Sequence, residues 1–439
     1  MGSGGGGTEH MQRISTVVLG LMLGAGLLAT ACVPPPTPPA DSGRYVATTG
    51  TDTGTCKKSA APCRTINYAV SQAVAGETVR VAAGTYPELV TVDKGLTFLG
   101  ANAGKRAGLS PAVRTAESVV KGFRSPGAPH PDATQSFSVT IDGFSIDPQG
   151  DPALLAPATQ HLVSLFGGPQ VIVRNNLLDG GSYVSDCGYD CTTMTDAAVM
   201  VQSGTYAVKD NSFTDFRSPV DVTQFDPAHP IVSGTISGNS FTRYTNRAVW
   251  VREDGVGGPF PGTISISGNL FDASGWTSDT WSPAGIVMTS GGNTVTGNTF
   301  AANGSGVFDQ VCDGTNVAGV SNTFTDNSFL SNRSGIQLFV VGSCGTGEVD
   351  PVVTGNRFEG TFTGVGLVDE PEIGVRWNGA VGTNGDAAPS VISAECNWWG
   401  AGSGPDLNGA PLVPGATAIT LNVDATPWNT TAAGPCDGS

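Results

Sequence analysis

Short runs in which apolar and polar residues alternate recur along most of the chain. Three of them, at residues 235–241, 265–271 and 295–300, end in the tripeptide Asn-x-Phe. A second kind of run, such as residues 248–251 and 285–288, lies upstream of most of these tripeptides. Alternation with a period of two residues is typical of a β-strand. The pattern therefore predicts two strands and tight turns per repeat.

Six Asn-x-Phe tripeptides are evenly spaced along the chain. They begin at Asn211, Asn239, Asn269, Asn298, Asn327 and Asn356, at intervals of 28, 30, 29, 29 and 29 residues. A fixed period of this length is typical of a solenoid, a propeller or an array of stacked units. Helical repeats are excluded because Gly, Ser, Thr and Asn crowd the repeats and are poor in helix interiors. Four-stranded propeller blades remain the main alternative, although they usually need longer repeats.

A coil of parallel β-strands fits this pattern best. Gly and Asn tolerate positive φ, so the Gly-Asn pairs are expected at a corner of the coil. The Phe two positions later would then point into the core. Asn side chains at the same corner of successive turns can stack into a hydrogen-bonded ladder.

Residues 43–135 precede the repeats and have a different pattern. Residues 65–74 carry apolar side chains at helical spacing, which predicts a short helix that caps the open end of the coil. Strands are predicted at 78–82, 89–92 and 96–99, with a turn at 83–86 and a long loop or irregular turn of the coil at 100–130. Alternation resumes at residues 138–146.

Several motifs resemble bacterial surface proteins of the pectin-lyase-like right-handed parallel β-helix superfamily. They are Tyr-Val-Ala at 45–47, Ala-Ala-Gly-Thr-Tyr at 82–86, the run at 139–146, the Gly-Asn-x-Phe series and Asn-Trp-Trp-Gly at 397–400. The resemblance covers about residues 43–437. It implies an all-β, right-handed, single-stranded parallel β-helix with three faces and a short N-terminal capping helix. It also implies a frequent carbohydrate-related role, although the superfamily includes adhesins and proteins of no known activity.

The composition agrees with one long, turn-rich domain. The 439 residues include 62 Gly and 29 Pro, and only 13% are charged. We expect one elongated domain rather than several globular ones, because the turns of the coil share one core and no linker interrupts the period. A monomer is also expected. The formal net charge of −16 disfavours nucleic-acid binding through a basic face.

The N-terminal segment predicts export. Residues 1–32 are interpreted as a leader, in which an apolar stretch at 17–28 and small residues precede Cys32. Residues 11–31 have the size of a secretory signal rather than of a membrane-spanning helix, and Met11 is the expected initiator. Cys32 resembles the lipidated cysteine of a bacterial lipobox, although Ala29 replaces the commoner Leu. The expected location is the extracellular face of the cell membrane, with simple secretion as the alternative.

Residues 33–42 are predicted to be a Pro-rich linker. A polyproline segment would hold the domain roughly 25 Å from its anchor, at about 3.1 Å per residue. The β-helix domain is predicted over 43–437. It divides into a cap and first turns at 43–135, repeat turns at 136–400 and a C-terminal cap at 401–437.

The nine cysteines include eight besides Cys32, an even number that suggests four disulfides in an exported chain. Separation along the chain favours the pairs Cys56–Cys63, Cys187–Cys191, Cys312–Cys344 and Cys396–Cys436. A metal cluster is the alternative, but the chain has four His and no Cys-x-x-Cys unit. The loop 186–191 with Asp196 offers oxygen ligands for Ca²⁺, or is a disulfide-closed loop without metal. No other cofactor is indicated.

The phase of the alternation predicts which side chains point outward on one face. The predicted cluster comprises Asp221, Trp250, Arg252, Phe308, Gln310 and Gln337, and Gly366 follows Gln337 in the column. Aromatic rings stack on sugar faces while polar groups fix hydroxyls, so this mixture suits a polysaccharide-binding strip. The alternative is an ordinary exposed sheet face or a contact for a loop.

Catalytic signatures are weaker. A glycosidase needs two carboxyl groups roughly 5 to 10 Å apart. The predicted face supplies only Asp221, and nothing in the spacing selects a partner for it. The further candidates are Asp226, Glu253, Asp254, Asp279 and Asp309.

A polyuronate lyase would need a basic residue as proton acceptor and Ca²⁺ to neutralise the substrate carboxylate. The sequence at 217–219 resembles the start of the pectate lyase motif Arg-x-Pro-x-x-Arg, but Val222 occupies the second Arg position. Arg217, Arg243, Arg247 and Arg252 are expected on neighbouring turns. Ion pairs with Asp215 and Asp221 are the structural alternative for them.

The sequence thus leaves three hypotheses for function. The favoured one is a surface protein that binds an extracellular polysaccharide. The alternatives are a polysaccharide lyase or glycoside hydrolase, and a structural or adhesive spacer without activity.

Overall fold

The computed structural model describes most of the chain from residue 43 onward. The described residues are 43–126, 137–151, 153–154, 161–165, 170–182, 195–224, 230–253, 263–275, 283–311, 322–340, 351–360, 373–377, 392–401, 403–407, 418–419, 423–434 and 436–438. Within these ranges, no helix is long and apolar enough to cross a membrane.

The secondary structure consists of one short helix, α1 (Ile66–Gln72), and many short strands. The first strands are β1 (Gly43–Val46), β2 (Thr78–Val81), β3 (Gly84–Thr91), β4 (Thr97–Leu99), β5 (Ser118–Arg124), β6 (Val139–Asp142), β7 (Ser145–Ile146), β8 (His161–Ser164), β9 (Val171–Arg174), β10 (Leu177–Asp179), β11 (Ala197–Val201) and β12 (Gly204–Lys209). The next are β13 (Ser212–Thr214), β14 (Val220–Gln224), β15 (Ile231–Ser237), β16 (Ser240–Thr242), β17 (Arg247–Glu253), β18 (Thr263–Ser267), β19 (Leu270–Asp272), β20 (Ala284–Met288), β21 (Thr294–Thr296), β22 (Thr299–Ala301), β23 (Ser305–Val311) and β24 (Thr323–Thr325). The last are β25 (Ser328–Leu330), β26 (Ser334–Val340), β27 (Val352–Thr354), β28 (Arg357–Glu359), β29 (Ile373–Trp377), β30 (Ile392–Ser393), β31 (Asp406–Leu407), β32 (Ala418–Ile419), β33 (Val423–Asp424), β34 (Trp428–Asn429) and β35 (Cys436–Gly438).

Parallel pairing between successive turns builds three faces. The first face runs β1-β2-β4-β6-β9-β12-β15-β18-β21-β24-β27. The second runs β7-β10-β13-β16-β19-β22-β25-β28, and the third runs β3-β5-β8-β11-β14-β17-β20-β23-β26-β29-β32. The chain is therefore a right-handed parallel β-helix, as predicted. Each full turn has three strands, which confirms the three faces implied by the resemblance. The alternation alone predicted two strands per repeat, because three-residue strands such as β16 are too short to show their own period.

Stacked aromatic rings fill the core behind the second face. The Phe residues of the tripeptides are fully buried and pair in register, as Phe241 does with Phe271. Successive ring centroids from Phe213 through Phe358 to Trp399 are 4.7–4.9 Å apart. This spacing equals the distance between neighbouring strands of a sheet, so each turn from Phe213 to Trp399 contributes one ring to a continuous column. The prediction that the Phe points into the core is confirmed.

The predicted asparagine ladder is also present, at the corner between the first and second faces. It comprises Asn176, Asn211, Asn239, Asn269, Asn298, Asn327, Asn356 and Asn397. From Asn211 onward, the Oδ1 atom of each accepts two bonds from the preceding ladder residue, whereas Oδ1 of Asn176 accepts the backbone N–H of Phe144. For example, the backbone N–H of Asn239 donates to Asn269 at 2.9 Å, and its Nδ2 donates to the same oxygen at 3.0 Å.

The residue before each ladder asparagine, rather than the asparagine itself, adopts positive φ. This holds for Asn175, Asp210, Gly238, Gly268, Gly297, Asp326, Gly355 and Cys396, with φ between 56° and 69°. Glycine has no Cβ penalty in this conformation, and Asn and Asp tolerate it. The corner thus explains the Gly of the Gly-Asn pairs.

Two further asparagine pairs were not predicted from the sequence. Asn303 donates to Asn332 at the corner before the third face, and the hydroxyl group of Tyr244 donates to Asn303. Asn293 donates to Asn322 at the entry to the first face. Asn293, Asn303 and Asn332 begin no Asn-x-Phe tripeptide, and the tripeptide at Asn322 lies five residues before Asn327 and outside the regular interval, so the spacing marked neither pair.

The N-terminal region confirms the capping helix and corrects two other predictions. Helix α1 begins after Thr65, whose side chain accepts the Tyr68 N–H. Residues 84–86 of the predicted turn at 83–86 lie within β3. Of the two alternatives for 100–130, the loop is wrong and the irregular turn of the coil is confirmed, because β5 follows an irregular part at 100–117. In that irregular part, the N–H groups of Ala107 and Gly108 donate to the Asp210 carbonyl, and the N–H group of Leu109 donates to the Gly238 carbonyl. The segment therefore lies along the corner between the first and second faces of later turns.

Two disulfides are described. Cys56–Cys63 confirms the predicted N-terminal bridge, and Cys396–Cys436 joins the last turn to β35. The strands β34 and β35 pair in antiparallel fashion and close the C-terminal end. The predicted pairs Cys187–Cys191 and Cys312–Cys344, and the leader residue Cys32, lie outside the described residues.

We predict that Asn298→Ala lowers the free energy of unfolding by about 3 kcal/mol or more. The substitution leaves two buried donors of Asn269 without an acceptor, and each such loss costs about 1–3 kcal/mol. Urea unfolding followed by circular dichroism measures the change. Thr294→Ala, on the exposed side of β21, is the matched control and should cost less than about 1 kcal/mol. Equal losses in the two variants would contradict a stabilising role for the ladder.

Candidate functional site

The register of the third face brings the predicted column together. Val220 pairs with Val249, Val249 with Ile286, and Ile286 with Val307, which places the buried row inside the coil. The residues one position further along form the outward row Met200, Asp221, Trp250, Val287, Phe308 and Gln337. Neighbours in this row are one strand spacing apart, about 4.8 Å.

The predicted continuation of this row through Gly366 is wrong. Gln337 pairs with Arg376 of β29, so residue 376 follows it in the row. Residues 361–372, which contain Gly366, lie outside the described residues. The error arose because the interval of about 29 residues does not hold after Asn356. The next ladder residue is Asn397, 41 positions later.

The exposure of the row differs from the prediction. Asp221 is only 5% exposed, whereas Trp250, Arg252, Phe308 and Gln337 are half-buried. Three further polar residues near Asp221 on this face are also buried, namely Gln202, Thr223 and Gln224. Other parts of the chain therefore cover this end of the third face. Gln310 lies on β23 opposite Phe339, and its side chain is outside the described residues.

Asp221 is held by two neighbours on the same face. The Thr223 hydroxyl donates to Asp221 Oδ1, and Arg252 Nη2 lies 3.6 Å from Oδ2. Arg252 Nε also donates to the Thr223 hydroxyl at 2.8 Å. Burial raises the pKa of Asp221, and the charge of Arg252 and the bond from Thr223 oppose that rise.

Trp250 carries two arginine side chains against its ring. The guanidinium carbon of Arg247 lies 3.2 Å from the ring centroid, and that of Arg252 lies 3.8 Å away. Both distances are within the range of a cation–π interaction. Burial lowers the pKa of Arg247 to about 10, and its Nε has no partner among the described residues. Sequence reasoning had not placed Arg247 in the strip, because it lies outside the alternating positions.

The remaining arginines of the predicted group form ion pairs. Arg217 Nη1 lies 2.9 Å from Asp196, and Arg243 pairs with Asp215. The alternative that these arginines form ion pairs is therefore confirmed for Arg217, Arg243 and Arg252. The partner of Arg217 is Asp196, whereas Asp215 or Asp221 was predicted. Because Asp196 is engaged in this way, its predicted role as a Ca²⁺ ligand loses support. The described residues contain no group of three His, Cys, Asp or Glu side chains suited to a metal ion.

Several buried polar atoms near Asp221 have no partner among the described residues. They are the hydroxyl oxygens of Ser164 and Ser218 and Oε1 of Gln202. Ser164 pairs with Met200, the residue opposite Asp221. Next to them, burial lowers the pKa of His161 to about 4, helped by the charges of Arg124 and Arg252. His161 is therefore neutral and buried, and this agrees with a structural role.

The far end of the row is less polar and more open. Val287, Phe308 and Gln337 are half-buried on consecutive strands, and Ser305 donates to Gln337 Oε1 at 2.9 Å. Together with Trp250 they form a line of aromatic, aliphatic and amide groups, which we call the Trp250 strip. Arg247 and Arg252 flank its first member.

The family comparison covers nearly half of the chain. Residues 48–260 match the model of a family described as protein of unknown function (DUF1565), a family of right-handed β-helix proteins. The matched segment contains Asp221, Trp250 and Arg252 and ends before Phe308, so it includes only the first part of the Trp250 strip. No curated protein and no solved structure matches the chain.

Asp309, a candidate carboxylate from the sequence, lies inside the coil. It occupies an inward position between Met288 and Leu338 in the register and is 1% exposed. Asn322 Nδ2 lies 3.0 and 3.2 Å from its two oxygens. Burial raises the pKa of Asp309 to about 7. A side chain enclosed by the core cannot reach a polysaccharide, so the prediction of Asp309 as a catalytic carboxyl group is wrong.

We predict that Asp309 makes the chain less stable as pH rises from about 4 to about 7. Over that range the folded state holds a proton that the unfolded state has lost, so the free energy of unfolding falls by about 1.4 kcal/mol per pH unit. Asp309→Asn should remove this fall and raise the stability above neutral pH. Urea unfolding at pH values below and above the range measures it.

Asp93→Asn, at an exposed position, is the matched control for this measurement. Its pH dependence should follow that of the parent protein. The same slope in the parent and in Asp309→Asn would show that Asp309 does not hold the additional proton.

Proposed function

We propose that this chain is an exported, lipid-anchored surface protein that binds an extracellular polysaccharide through the Trp250 strip. The supporting observation is the strip itself, in which half-buried rings and an amide repeat at one strand spacing along a straight face. A long rigid row of this kind suits a linear polymer better than a small ligand. Rings stack on sugar faces while amide and guanidinium groups fix hydroxyl or carboxyl groups.

The charges around Trp250 favour an acidic polysaccharide. Arg247 and Arg252 both contact the ring, whereas the nearby Asp221 is buried and held by Thr223 and Arg252. A local positive cluster in a chain of net charge −16 gives an anionic ligand a defined place to bind.

The proposed anchor rests on the leader and the linker. Cys32 would carry the lipid, and the proline-rich segment 33–42 would separate the β-helix from the membrane. A single acyl chain binds membranes only marginally, so a diacylated cysteine is the chemistry that gives stable attachment. The β-helix would then present the Trp250 strip outside the cell.

A polysaccharide lyase is the second candidate, and Arg247 is the observation that favours it. Its guanidinium is largely buried, its pKa is lowered to about 10, and its Nε is unpartnered within the described part of the chain. These properties suit an arginine that removes a proton beside a substrate carboxylate. Such a lyase would need Ca²⁺ or another cation to neutralise that carboxylate.

A hydrolase has less support. Asp221 is buried and engaged by Thr223 and Arg252, Asp196 and Asp215 pair with arginines, and Asp309 lies in the core. Asp226, Asp254 and Asp279 lie outside the described residues, and the side chain of Glu253 is not described. The candidate carboxyl groups whose side chains are described therefore provide no exposed acid and base on the third face.

We predict that Trp250→Ala weakens polysaccharide binding by at least tenfold. The substitution removes the ring against which Arg247 and Arg252 pack, and with it the placement of the guanidinium groups proposed to bind the ligand. One aromatic contact contributes about 1–3 kcal/mol in comparable ring stacking. A panel of immobilised acidic and neutral glycans, read by biolayer interferometry, identifies the ligand and measures the loss. Tyr68→Ala, on the capping helix, is the matched aromatic control.

The same glycans incubated in solution separate the alternatives. Ultraviolet absorbance of an unsaturated uronate, abolished by Arg247→Lys and dependent on Ca²⁺, would establish the lyase. New reducing ends without that absorbance would indicate a hydrolase. Absence of both binding and turnover across the panel would leave the structural spacer and contradict the proposal.

We predict that Cys32→Ser releases the protein from the membrane. The hydroxyl of Ser cannot form the thioether that carries the diacylglycerol, so the variant should appear in the medium and lose incorporation of a labelled fatty acid. Membrane fractionation of expressing bacteria measures both properties. Cys396→Ser, which breaks a disulfide of the folded domain, is the control and should still incorporate the label. Labelling of Cys32→Ser would contradict lipidation at this residue.

A further inference from the structure

A cleft of about 320 Å³ lies at the N-terminal end of the coil, on the outward side of the first face. Strands β1 and β2, the end of β4 and the Cys56–Cys63 loop surround it. Its main lining residues are Tyr45, Ser59, Pro62, Arg80, Leu99 and Ala103. The cleft is on a different face from the Trp250 strip and shares no residue with it.

The register explains why a ring and a charge meet in this cleft. Tyr45 pairs with Arg80, and Arg80 pairs with Leu99, so the three lie on consecutive strands about 4.8 Å apart. Val79 and Val81, on either side of Arg80, are buried in the core. Arg80 therefore points outward, and Tyr45 and Leu99 lie on the same side of the sheet.

The polar groups of the cleft are not used by the rest of the described chain. The Tyr45 hydroxyl, the Ser59 hydroxyl and the Arg80 guanidinium make no hydrogen bond or ion pair with any described residue. Arg44, next to Tyr45, shows the contrast, because it is buried and pairs with Glu77 at 2.7 Å. Among the described lining residues Arg80 is the only charged side chain, and none is a carboxylate.

We propose that this cleft binds a carboxylated sugar, as a single residue or as a chain end. The planar guanidinium of Arg80 matches a carboxylate and can bind it through two parallel hydrogen bonds. The ring of Tyr45 and the apolar atoms of Leu99 and Pro62 provide a surface for a sugar ring. The free hydroxyl groups of Tyr45 and Ser59 complete the site by accepting or donating bonds to ligand hydroxyls.

The size of the cleft restricts the ligand. Binding sites for small molecules range over about 300–1,000 Å³, so this one is at the lower end. It accommodates a sugar unit rather than a length of polymer. This inference is independent of the proposed function, because a chain that binds no polymer at the Trp250 strip can still bind an acidic sugar here.

Ligand-observed saturation-transfer NMR on the full chain tests the proposal with matched probes. Glucuronic acid supplies ring and carboxylate, glucose supplies the ring without the charge, and acetate supplies the charge without the ring. We expect glucuronic acid to bind at least tenfold more tightly than either of the others. Equal affinity for glucuronic acid and glucose would overturn the proposal, and so would absence of binding.

Variants then assign the binding to the cleft. Arg80→Gln should weaken glucuronic acid binding at least tenfold, and Arg80→Lys should weaken it less because the charge remains. Tyr45→Leu removes the ring and one hydroxyl, and should also weaken binding. Arg64→Gln, an exposed arginine outside the cleft, is the matched control and should bind as the parent does. Unchanged binding by Arg80→Gln would overturn the proposal, provided that its thermal unfolding matches that of the parent.

Discussion

The asparagine ladder is the interaction on which the rest of the structure depends. Each ladder residue after Asn176 offers one oxygen to two donors of the ladder residue before it, so consecutive turns must stay one hydrogen-bond length apart. A turn that slipped by one residue would bury unpaired amide groups, which costs about 1–3 kcal/mol for each group. The column of phenylalanine rings behind the ladder repeats at the same spacing and imposes the same register from the apolar side.

This fixed register determines what the outer surface can present. Because alternate residues point in opposite directions, locking Phe241 over Phe271 also decides which residues of β14, β17 and β20 face outward. The register alone therefore places Trp250 between Asp221 and Val287 on the outer surface. The register of the first face likewise places Arg80 beside Tyr45 at the N-terminal end of the coil.

Much of the architecture could be predicted because it repeats. The period of the tripeptides predicted the coil, the ladder and the inward Phe, and the alternation placed Asp221 opposite Trp250. The third strand of each turn was missed because three residues are too few to show a period. The position after Gln337 was predicted wrongly because the interval lengthens beyond Asn356, so counting by 29 chose Gly366 instead of residue 376.

The candidate site was less predictable than the coil. Alternation states that Asp221 points away from the core, but not that other segments of the chain cover it. Burial, the engagement of Asp221 by Arg252 and the contact of Arg247 with Trp250 all depend on tertiary packing, which has no period in sequence. Asp309 shows a related limit, because the sequence offered it as a candidate catalytic carboxyl group although the register places it inside the coil.

Distances between spin labels on the first face test the stacked register most directly. Nitroxides attached through an unnatural amino acid would pair position 235 in turn with positions 265, 294, 323 and 352, leaving the cysteines untouched. These positions follow one another in the register of β15, β18, β21, β24 and β27. The account predicts distances that increase in equal steps of about 4.8 Å. Distances that level off or shorten along the series, as around a closed ring of propeller blades, would contradict it.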